Sequence, residues 1–411
     1  MNLIGRLTAA LLAGALTLTL SAATGTSAPT TSTTLVDAQS ALDEDRKYIV
    51  ETTADMIKST GTDPVTFDEC DRKHDGTEPP FWFKNKYNVC RGTDLEVEYY
   101  VLENGQLKYV GSSFYLRTFI GVAQDGDNKI AFGVRLIHSH DFLTTHKDTT
   151  YLSFQVACEN SDPTRQSDCS MTPAFEEKSV RQWEQVGPAG VWFTANLTTT
   201  SVPPDKYAAE KRGFFTFKLI TTAVPPTGVP ATQHGPTEKI RCDEADYVSG
   251  SKCVFENVIS SLSLDADDPT YGESARFIRD AQVDITLTKP GIAGKKVPGR
   301  WVQGGEPLRR FYSKYDTQND QKGSRDKVRR TCQIYWGVDY TINEHGELRQ
   351  CDEYPFASTY ENAARVNEDS ALSYAVRPIN ALHNETAGQI YGAWLTRDHI
   401  LDGDPFYVII R

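Results

Sequence analysis

The sequence predicts an all-β N-terminal domain, antiparallel and sandwich-like, over about residues 60–288, followed by a second domain over residues 289–411. In the first part, short apolar runs alternate with polar residues and are separated by turn-forming residues, a pattern typical of antiparallel sheets. From Lys289 onward this pattern stops and positive charge accumulates. With 411 residues, of which 39% are hydrophobic, the chain is long enough to bury more than one core.

Residues 1–28 predict a secretory signal peptide. Arg6 supplies the positive charge, residues 7–20 are apolar, and small residues that suit cleavage follow at Ser21-Ala22-Ala23 and Thr26-Ser27-Ala28. The apolar run is shorter than the ~20 residues that span a bilayer. We therefore expect a secreted, extracellular protein without stable membrane insertion.

A leader is expected over residues 29–59. Its residues from 36 to about 59 permit a helix, for which Asp37 is a suitable N-cap.

Two hairpins are the clearest signals in the β-rich part. Runs at 95–102 and 106–110 flank Asn104-Gly105, and runs at 119–123 and 130–137 flank an Asp/Gly/Asn turn. Further strands are expected at 151–156, 191–197, 214–221, 254–264 and 282–288. The ligand of this region is not indicated by its sequence.

Eight cysteines behind a signal peptide predict disulfides. Eight cysteines allow many pairings, and we favour the one that joins neighbours in the chain: Cys70 with Cys90, Cys158 with Cys169, Cys242 with Cys253, and Cys332 with Cys351. Zinc is the alternative, but no CxxC is present. A second zinc candidate, His138 and His140 with Asp141 and His146, competes with the simpler reading of surface histidines.

Charge is divided unevenly along the chain. The total is -12, which argues against a protein that coats nucleic acid indiscriminately. Residues 289–330, however, hold twelve Lys and Arg against four acidic residues, and residues 331–411 hold five against twelve. The basic stretch is either a solvated linker or a face that binds a polyanion.

Asp352 and Glu353 follow Cys351 directly and precede the stretch Tyr354-Pro355-Phe356. Two carboxylates restrained by a disulfide and shielded by aromatic residues could act as a general base or hold a metal. A solvated acidic turn is the competing reading.

The segment resembles the signature of the NucA/NucB family of secreted deoxyribonucleases. The similarity rests on Cys351-Asp352-Glu353-Tyr354-Pro355-Phe356-Ala357-Ser358-Thr359 and on an Arg-Arg element before Cys332 that resembles actinobacterial-type members. It continues at residues 384–392 and 401–410 and covers about a quarter of the chain. The resemblance implies a small α+β nuclease domain over residues 289–411.

The resemblance also implies site residues. Asp352 would be the general base, and Glu353 would position it or reach the metal through water. Glu361 and Asn384 would hold a divalent metal, Mg²⁺ or Mn²⁺. Phosphate would be gripped by Arg329, Arg330 and Gln389.

A helix over residues 385–395 completes the implied site. Ile390 and Trp394 would be buried, and Gly388 and Gly392 would let the helix approach the sheet closely.

We therefore expect a secreted, monomeric, metal-dependent endonuclease that cuts DNA, with RNA as an open question, and with little sequence preference. One alternative is a secreted adhesion or cell-wall-associated binding protein whose nuclease domain is degenerate. The other is an antibacterial nuclease toxin, which would require an immunity protein.

Overall fold

A computed structural model describes residues 31–36, 47–58, 63–73, 81–165, 167–200, 206–226, 229–365 and 374–411. The predicted signal peptide at residues 1–28 lies outside the described residues. Within the predicted leader, residues 29–30, 37–46 and 59, among them the predicted N-cap Asp37, also lie outside the described residues.

The described residues form nineteen strands and six α-helices. The strands are β1 (Thr31–Val36), β2 (Tyr48–Thr53), β3 (Trp82–Asn85), β4 (Asn88–Glu103), β5 (Gln106–Ala123), β6 (Lys129–Leu143), β7 (Tyr151–Asn160), β8 (Asp168–Thr172), β9 (Glu176–Ser179), β10 (Val191–Thr198), β11 (Gly213–Val224), β12 (Ala231–His234), β13 (Glu238–Cys242), β14 (Cys253–Phe255), β15 (Val258–Leu264), β16 (Leu308–Arg309), β17 (Arg349–Tyr354), β18 (Ala375–Asn380) and β19 (Pro405–Ile410). The helices are α1 (Ala54–Lys58), α2 (Phe67–Lys73), α3 (Val180–Glu184), α4 (Gly272–Val283), α5 (Asp320–Trp336) and α6 (Ala381–Arg397).

Two antiparallel sheets make up the β-rich part, as predicted. One has the order β1-β4-β5-β6-β10-β8 with β3 beside β4, and the other has the order β14-β13-β11-β7-β9 with β12 beside β11. Apolar side chains of both sheets share one core, in which the ring centroids of Phe132 and Phe217 are 4.9 Å apart. Along β11, buried and partly buried residues alternate strictly, as expected for a strand that covers a core with one face.

The first predicted hairpin is confirmed, and its turn shows why. β4 and β5 pair up to Glu103 and Gln106, and the two residues between them, Asn104 and Gly105, have φ of 52° and 78°. Asn and Gly adopt this left-handed backbone most readily, and it matches the twist of the two strands. The second predicted hairpin is β5–β6.

All four predicted disulfides are present, with Cα–Cα distances of 4.1–6.2 Å. Cys158 lies in β7 and Cys169 in β8, so this bond links the two large sheets. Cys332 in α5 and Cys351 in β17 tie a helix to the strand that carries Asp352.

A separate hydrophobic core lies around the C-terminal strand. The sheet order is β16-β19-β15-β2, and β15 runs parallel to both β19 and β2. Helix α4 packs in this core with Phe277 and α6 with Trp394, and both residues lie in the same cluster as Phe406 of β19. The C-terminal sheet therefore includes β2 and β15, and its core uses Ala54 and residues between 262 and 281 in addition to the segment after residue 289.

Three local predictions are wrong in whole or in part, because the segments concerned belong to the C-terminal sheet and its helices. Within the predicted helix at 36–59, residues 48–53 form the strand β2, and only residues 54–58 are helical, as α1. Residues 282–288 are the end of α4 and a 3₁₀ turn instead of a strand. The single strand expected at 254–264 is divided by a turn into β14, in the β-rich part, and β15, in the C-terminal core.

β17 and β18 form a two-stranded antiparallel sheet with a helix layer on each side. On one side, α5 packs through Val328 and Cys332 against Val376. On the other side, Tyr354 and Ile379 belong to the core that includes α4 and α6.

Buried charges connect the β-rich part to the C-terminal core. The Arg241 guanidinium donates to both oxygens of Asp404, at 2.7 and 2.9 Å. His399 contacts Asp243 at 2.8 Å. Within the described part of the chain, no helix is both long and apolar enough to cross a membrane.

Candidate active site

The strand β17 carries both predicted catalytic carboxylates, and its pairing with β18 determines where they lie. Asp352 is opposite Arg377, and Glu353 is opposite Val376. Successive side chains of a strand point to opposite faces. Accordingly, Asp352 contacts α4 and Glu353 contacts α5.

Asp352 is 8% exposed and each of its carboxylate oxygens accepts a hydrogen bond. The Ser274 hydroxyl donates to Oδ2 at 2.6 Å, and the backbone N–H of Glu353 donates to Oδ1 at 2.8 Å. Burial raises the pKa of Asp352 to about 6; these two hydrogen bonds oppose the rise, and the negative charge of Glu273 adds to it. The carboxylate is thus held in one orientation with a pKa close to neutral, which suits a general base.

Glu353 has a different environment. The Ser324 hydroxyl donates to its Oε2 at 3.0 Å from the first turns of α5. Burial raises the pKa of Glu353 to about 7, and the charge of Asp352 raises it further, against the effects of Ser324 and Arg325. Because Glu353 faces α5, its side chain does not share the surroundings of Asp352.

Helix α4 is fastened to the site by Glu273. The Glu273 carboxylate accepts from the Arg349 guanidinium and, at 2.9 Å, from the backbone N–H of Asn380. Asn380 is also the N-cap of α6, since its side chain accepts from the N–H of Leu382 at 2.9 Å. One carboxylate therefore joins α4, the start of β17 and the start of α6.

Asn384 lies in the first turns of α6, beside the face of β17 that carries Asp352. Its Nδ2 donates to Gln350 Oε1 at 2.7 Å, and Gln350 is two residues before Asp352, on the same face of the strand. Among the described residues, no hydrogen bond reaches Asn384 Oδ1. Asn384 thus holds a neutral oxygen donor next to Gln350, which precedes Asp352 by two residues in β17. The predicted phosphate ligand Gln389 is exposed further along α6.

Glu361, which is predicted to hold the metal, contacts Arg309. Its Oε2 accepts from the backbone N–H of Arg309 and its Oε1 accepts from the Arg309 Nε, both at 2.9 Å. Glu361 is buried, whereas the Arg309 side chain is half-exposed, and both Glu361 oxygens accept hydrogen bonds that a metal ion would have to replace or share.

Arg329 and Arg330 are exposed on α5, which covers the face of the sheet opposite to Asp352. Arg329 pairs with Asp326 of its own helix. The structure therefore does not bring these two predicted phosphate ligands next to Asp352.

The basic stretch at 289–330 is neither simply a linker nor simply an open face. Arg310 is buried, donates to the Ile400 carbonyl and lies 4.8 Å from the ring centroid of Tyr247. Lys295 is buried as well and donates to Thr288 and to the Pro290 carbonyl. Part of this charge therefore stabilises the fold.

The helix α6 is longer than predicted and packs as expected through Trp394, which is fully buried; Ile390 is partly buried. The prediction for Gly388 and Gly392 is wrong, because a Cβ at either position would meet no atom within 4 Å. These glycines face open space and do not bring the helix closer to the sheet.

The histidine cluster of the β-rich part has a simple explanation. His138, Asp141 and Glu184 are close enough to hold a metal, but the Lys147 ammonium donates to Asp141 at 2.7 Å and to Glu184 at 2.5 Å. A buried lysine supplies the positive charge that a cation would have supplied.

Sequence reasoning missed Ser274, Glu273, Ser324 and Gln350. Gln350 could have been found, because it precedes Asp352 by two residues and a strand places such residues on one face. Ser274 and Glu273 precede the motif by almost eighty residues, and no local pattern marks them.

Residues 308–409 match the family model described as deoxyribonuclease NucA/NucB. No curated protein and no solved structure matches the chain. The matched segment contains Asp352, Glu353, Asn384 and the strand β19, while β15 and α4 of the same core precede it. The C-terminal part of this chain, at residues 308–409, is therefore a NucA/NucB deoxyribonuclease domain.

Proposed function

We propose that this protein is a secreted, metal-dependent endonuclease that hydrolyses phosphodiester bonds of DNA with little sequence preference. The observation that carries the proposal is Asp352: a buried carboxylate with its pKa raised to about 6, held by two hydrogen bonds inside the matched deoxyribonuclease domain. RNA is a second substrate to be tested, since the chemistry of the phosphodiester is shared.

Asp352 would act as the general base. As the oxygen of a water molecule bonds to phosphorus, Asp352 accepts the proton of that water. The bond between phosphorus and the leaving oxygen then breaks, and the leaving oxygen takes a proton from solvent. A pKa near 6 leaves the carboxylate ionised at neutral pH while it stays basic enough to accept the proton.

The cation would be a single hard one, Mg²⁺ or Mn²⁺, which prefers oxygen ligands. Asn384 Oδ1 accepts no hydrogen bond among the described residues and would be the ligand from the protein. Mg²⁺ in such sites keeps several waters and is completed by oxygens of the substrate phosphate, so few protein ligands are needed. When bound, the cation would neutralise phosphate oxygens and stabilise the leaving oxygen.

The proposed nuclease activity is tested on supercoiled plasmid DNA. The purified full chain, with its disulfides formed, is incubated with Mg²⁺ or Mn²⁺ and with EDTA. Asp352→Asn is the variant of interest, and Glu344→Gln, in an exposed loop, is the matched control. We expect nicking and linearisation by wild type and Glu344→Gln, and a loss of at least ~100-fold for Asp352→Asn.

The outcomes separate the alternatives. If the wild type cuts no DNA with either metal, the enzyme proposal fails and a binding protein with a degenerate nuclease domain is favoured. If Asp352→Asn cuts as fast as wild type, the nuclease stands and the assignment of the base is wrong. Secretion is tested separately, because the N-terminus of the exported chain should begin after residue 23 or 28.

A further inference from the structure

The carboxylate of Asp352 is oriented by a residue outside the segment that matches the family. Ser274 belongs to α4, and its hydroxyl donates to Asp352 Oδ2 at 2.6 Å. Both side chains are almost fully buried, with 2% of Ser274 and 8% of Asp352 exposed. Because Oδ1 accepts from the N–H of Glu353, the two bonds from α4 and β17 define the plane of the carboxylate.

The position of Ser274 is itself well determined. At the start of α4, Glu273 binds Arg349 and the N–H of Asn380. Two turns later, Asp280 pairs with Arg377 of β18 at 2.9 Å. Between these two attachments the apolar face of α4 packs in the same core as Tyr354 and Trp394. Helix α4 is therefore attached at both ends to the sheet that carries Asp352.

A serine in the first turns of a helix commonly bonds to the backbone of its own helix. The Ser274 hydroxyl instead crosses to another element and donates to an acid. A buried carboxylate gains orientation from such a bond, and a base that is misplaced by about 1 Å loses much of its rate.

We propose that Ser274 is a positioning residue for the nuclease reaction, which holds Asp352 Oδ2 so that the carboxylate presents a fixed lone pair to the attacking water. This inference rests on the proposed function. It implies that the working site begins with α4, before the matched residues 308–409.

The test compares Ser274→Ala with Ser274→Thr, which keeps the hydroxyl, in the full chain. The matched control is Ser261→Ala, because Ser261 is also buried in this core but donates to the Val50 carbonyl at 3.2 Å. Initial rates on a fluorophore–quencher DNA duplex give kcat and KM, and thermal unfolding gives Tm.

We expect Ser274→Ala to lower kcat about 10-fold with KM changed less than about 2-fold. Ser274→Thr should recover most of kcat, and Ser261→Ala should lower Tm as much as Ser274→Ala while leaving kcat within about 2-fold. Should Ser274→Ala fail to fold, Ser274→Cys, of similar size but with a weaker donor, is measured instead and should also reduce kcat.

An unchanged kcat in Ser274→Ala, or in Ser274→Cys where it replaces Ala, would overturn this inference while leaving the nuclease proposal intact. A fall in kcat that Ser261→Ala shares equally would do the same, as would a folded Ser274→Thr that recovers nothing. A wild type that cuts no DNA would overturn the proposed function and this inference together.

Discussion

Asp352 and Glu353 are neighbours in the chain but lie on opposite faces of β17, one against Ser274 of α4 and the other against Ser324 of α5. The pair therefore does not form a shared two-carboxylate site. The two residues are expected to respond differently to substitution, because Asp352 shares its face of β17 with Gln350, which accepts from Asn384 of α6.

The rate of DNA cleavage should depend on the ionisation of Asp352. Burial raises its pKa to about 6, so log kcat should rise with pH below about 6 and level off above about 7. Glu273→Gln should move the midpoint to lower pH, because the charge of Glu273 raises the pKa of Asp352. A profile that is flat between about pH 4.5 and 7 would contradict Asp352 as the base.

The contribution of Asp352 to the free energy of unfolding should fall as pH rises, whereas the cleavage rate should rise. The pKa of Asp352 is raised from 3.8 to about 6 in the folded protein, so the folded state holds the proton more tightly than the unfolded state. The resulting stability is present below the unfolded pKa and is lost as pH rises through about 6. Asp352→Asn should therefore raise the free energy of unfolding at pH 8, by about 3 kcal/mol at most, and should have little effect at pH 4.

Glu353→Gln is the comparison for this experiment. The stability that protonated Glu353 contributes should be lost as pH rises through about 7, because the pKa of Glu353 is raised to about 7. Calorimetric unfolding at the two pH values measures both effects. If Asp352→Asn shifts Tm equally at pH 4 and pH 8, the burial of the charged Asp352 carboxylate is not the cause of the change in stability.

Metal dependence should distinguish Asn384 from Glu361. Asn384→Ala removes the proposed ligand oxygen, so the Mn²⁺ concentration for half-maximal cleavage should rise at least ~10-fold. Glu361→Gln should leave that concentration unchanged and lower Tm, because the carboxylate pairs with Arg309. The measurement is a metal titration of the initial rate; an effect of Glu361→Gln that excess Mn²⁺ reverses would restore Glu361 as a ligand.

The contact between Arg241 and Asp404 should stabilise the connection between the two cores. Both side chains are buried, and Lys86 lies 3.7 Å from Asp404. Asp404→Asn would leave buried Arg241 with Asp243, whose Oδ2 is 3.6 Å from its Nε, as its remaining counter-charge, so it should cost about 3 kcal/mol in urea unfolding.

The pH dependence of this pair follows from Arg241 and Lys86. Despite burial, they hold the pKa of Asp404 well below its usual range, so this contribution is present at neutral pH and is lost only in strong acid. Arg241→Met combined with Asp404→Leu should cost less than the two single substitutions added together. Strict additivity would indicate that the two side chains are not coupled.

Local features of the chain were well predicted from the sequence. The hairpin turn at Asn104-Gly105 and the disulfides between neighbouring cysteines depend on residues close together in the chain, where turn chemistry and short loops dominate. The acidic motif after Cys351 was recognisable for the same reason, and the matched domain at residues 308–409 confirms the family that it indicated.

Predictions that depended on distant partners were wrong or absent. β15 pairs in parallel with β19, about 145 residues later in the chain, and with β2, about 210 residues earlier. Nothing in the local pattern of residues 258–264 distinguishes a strand of this sheet from a further strand of the β-rich part. Ser274 and the contact between Arg309 and Glu361 could not be predicted for the same reason, because the partners lie 78 and 52 residues apart in the chain.

The sequence by itself determined that this chain is rich in antiparallel β structure, that its cysteines pair with their neighbours and that it carries a NucA/NucB motif around Asp352. Only the tertiary structure decided that Asp352 and Glu353 have separate surroundings and that α4 contacts Asp352. The physical reason is that the pKa and orientation of a carboxylate depend on burial and on hydrogen-bond donors, and the fold brings those donors from residues far away in the chain.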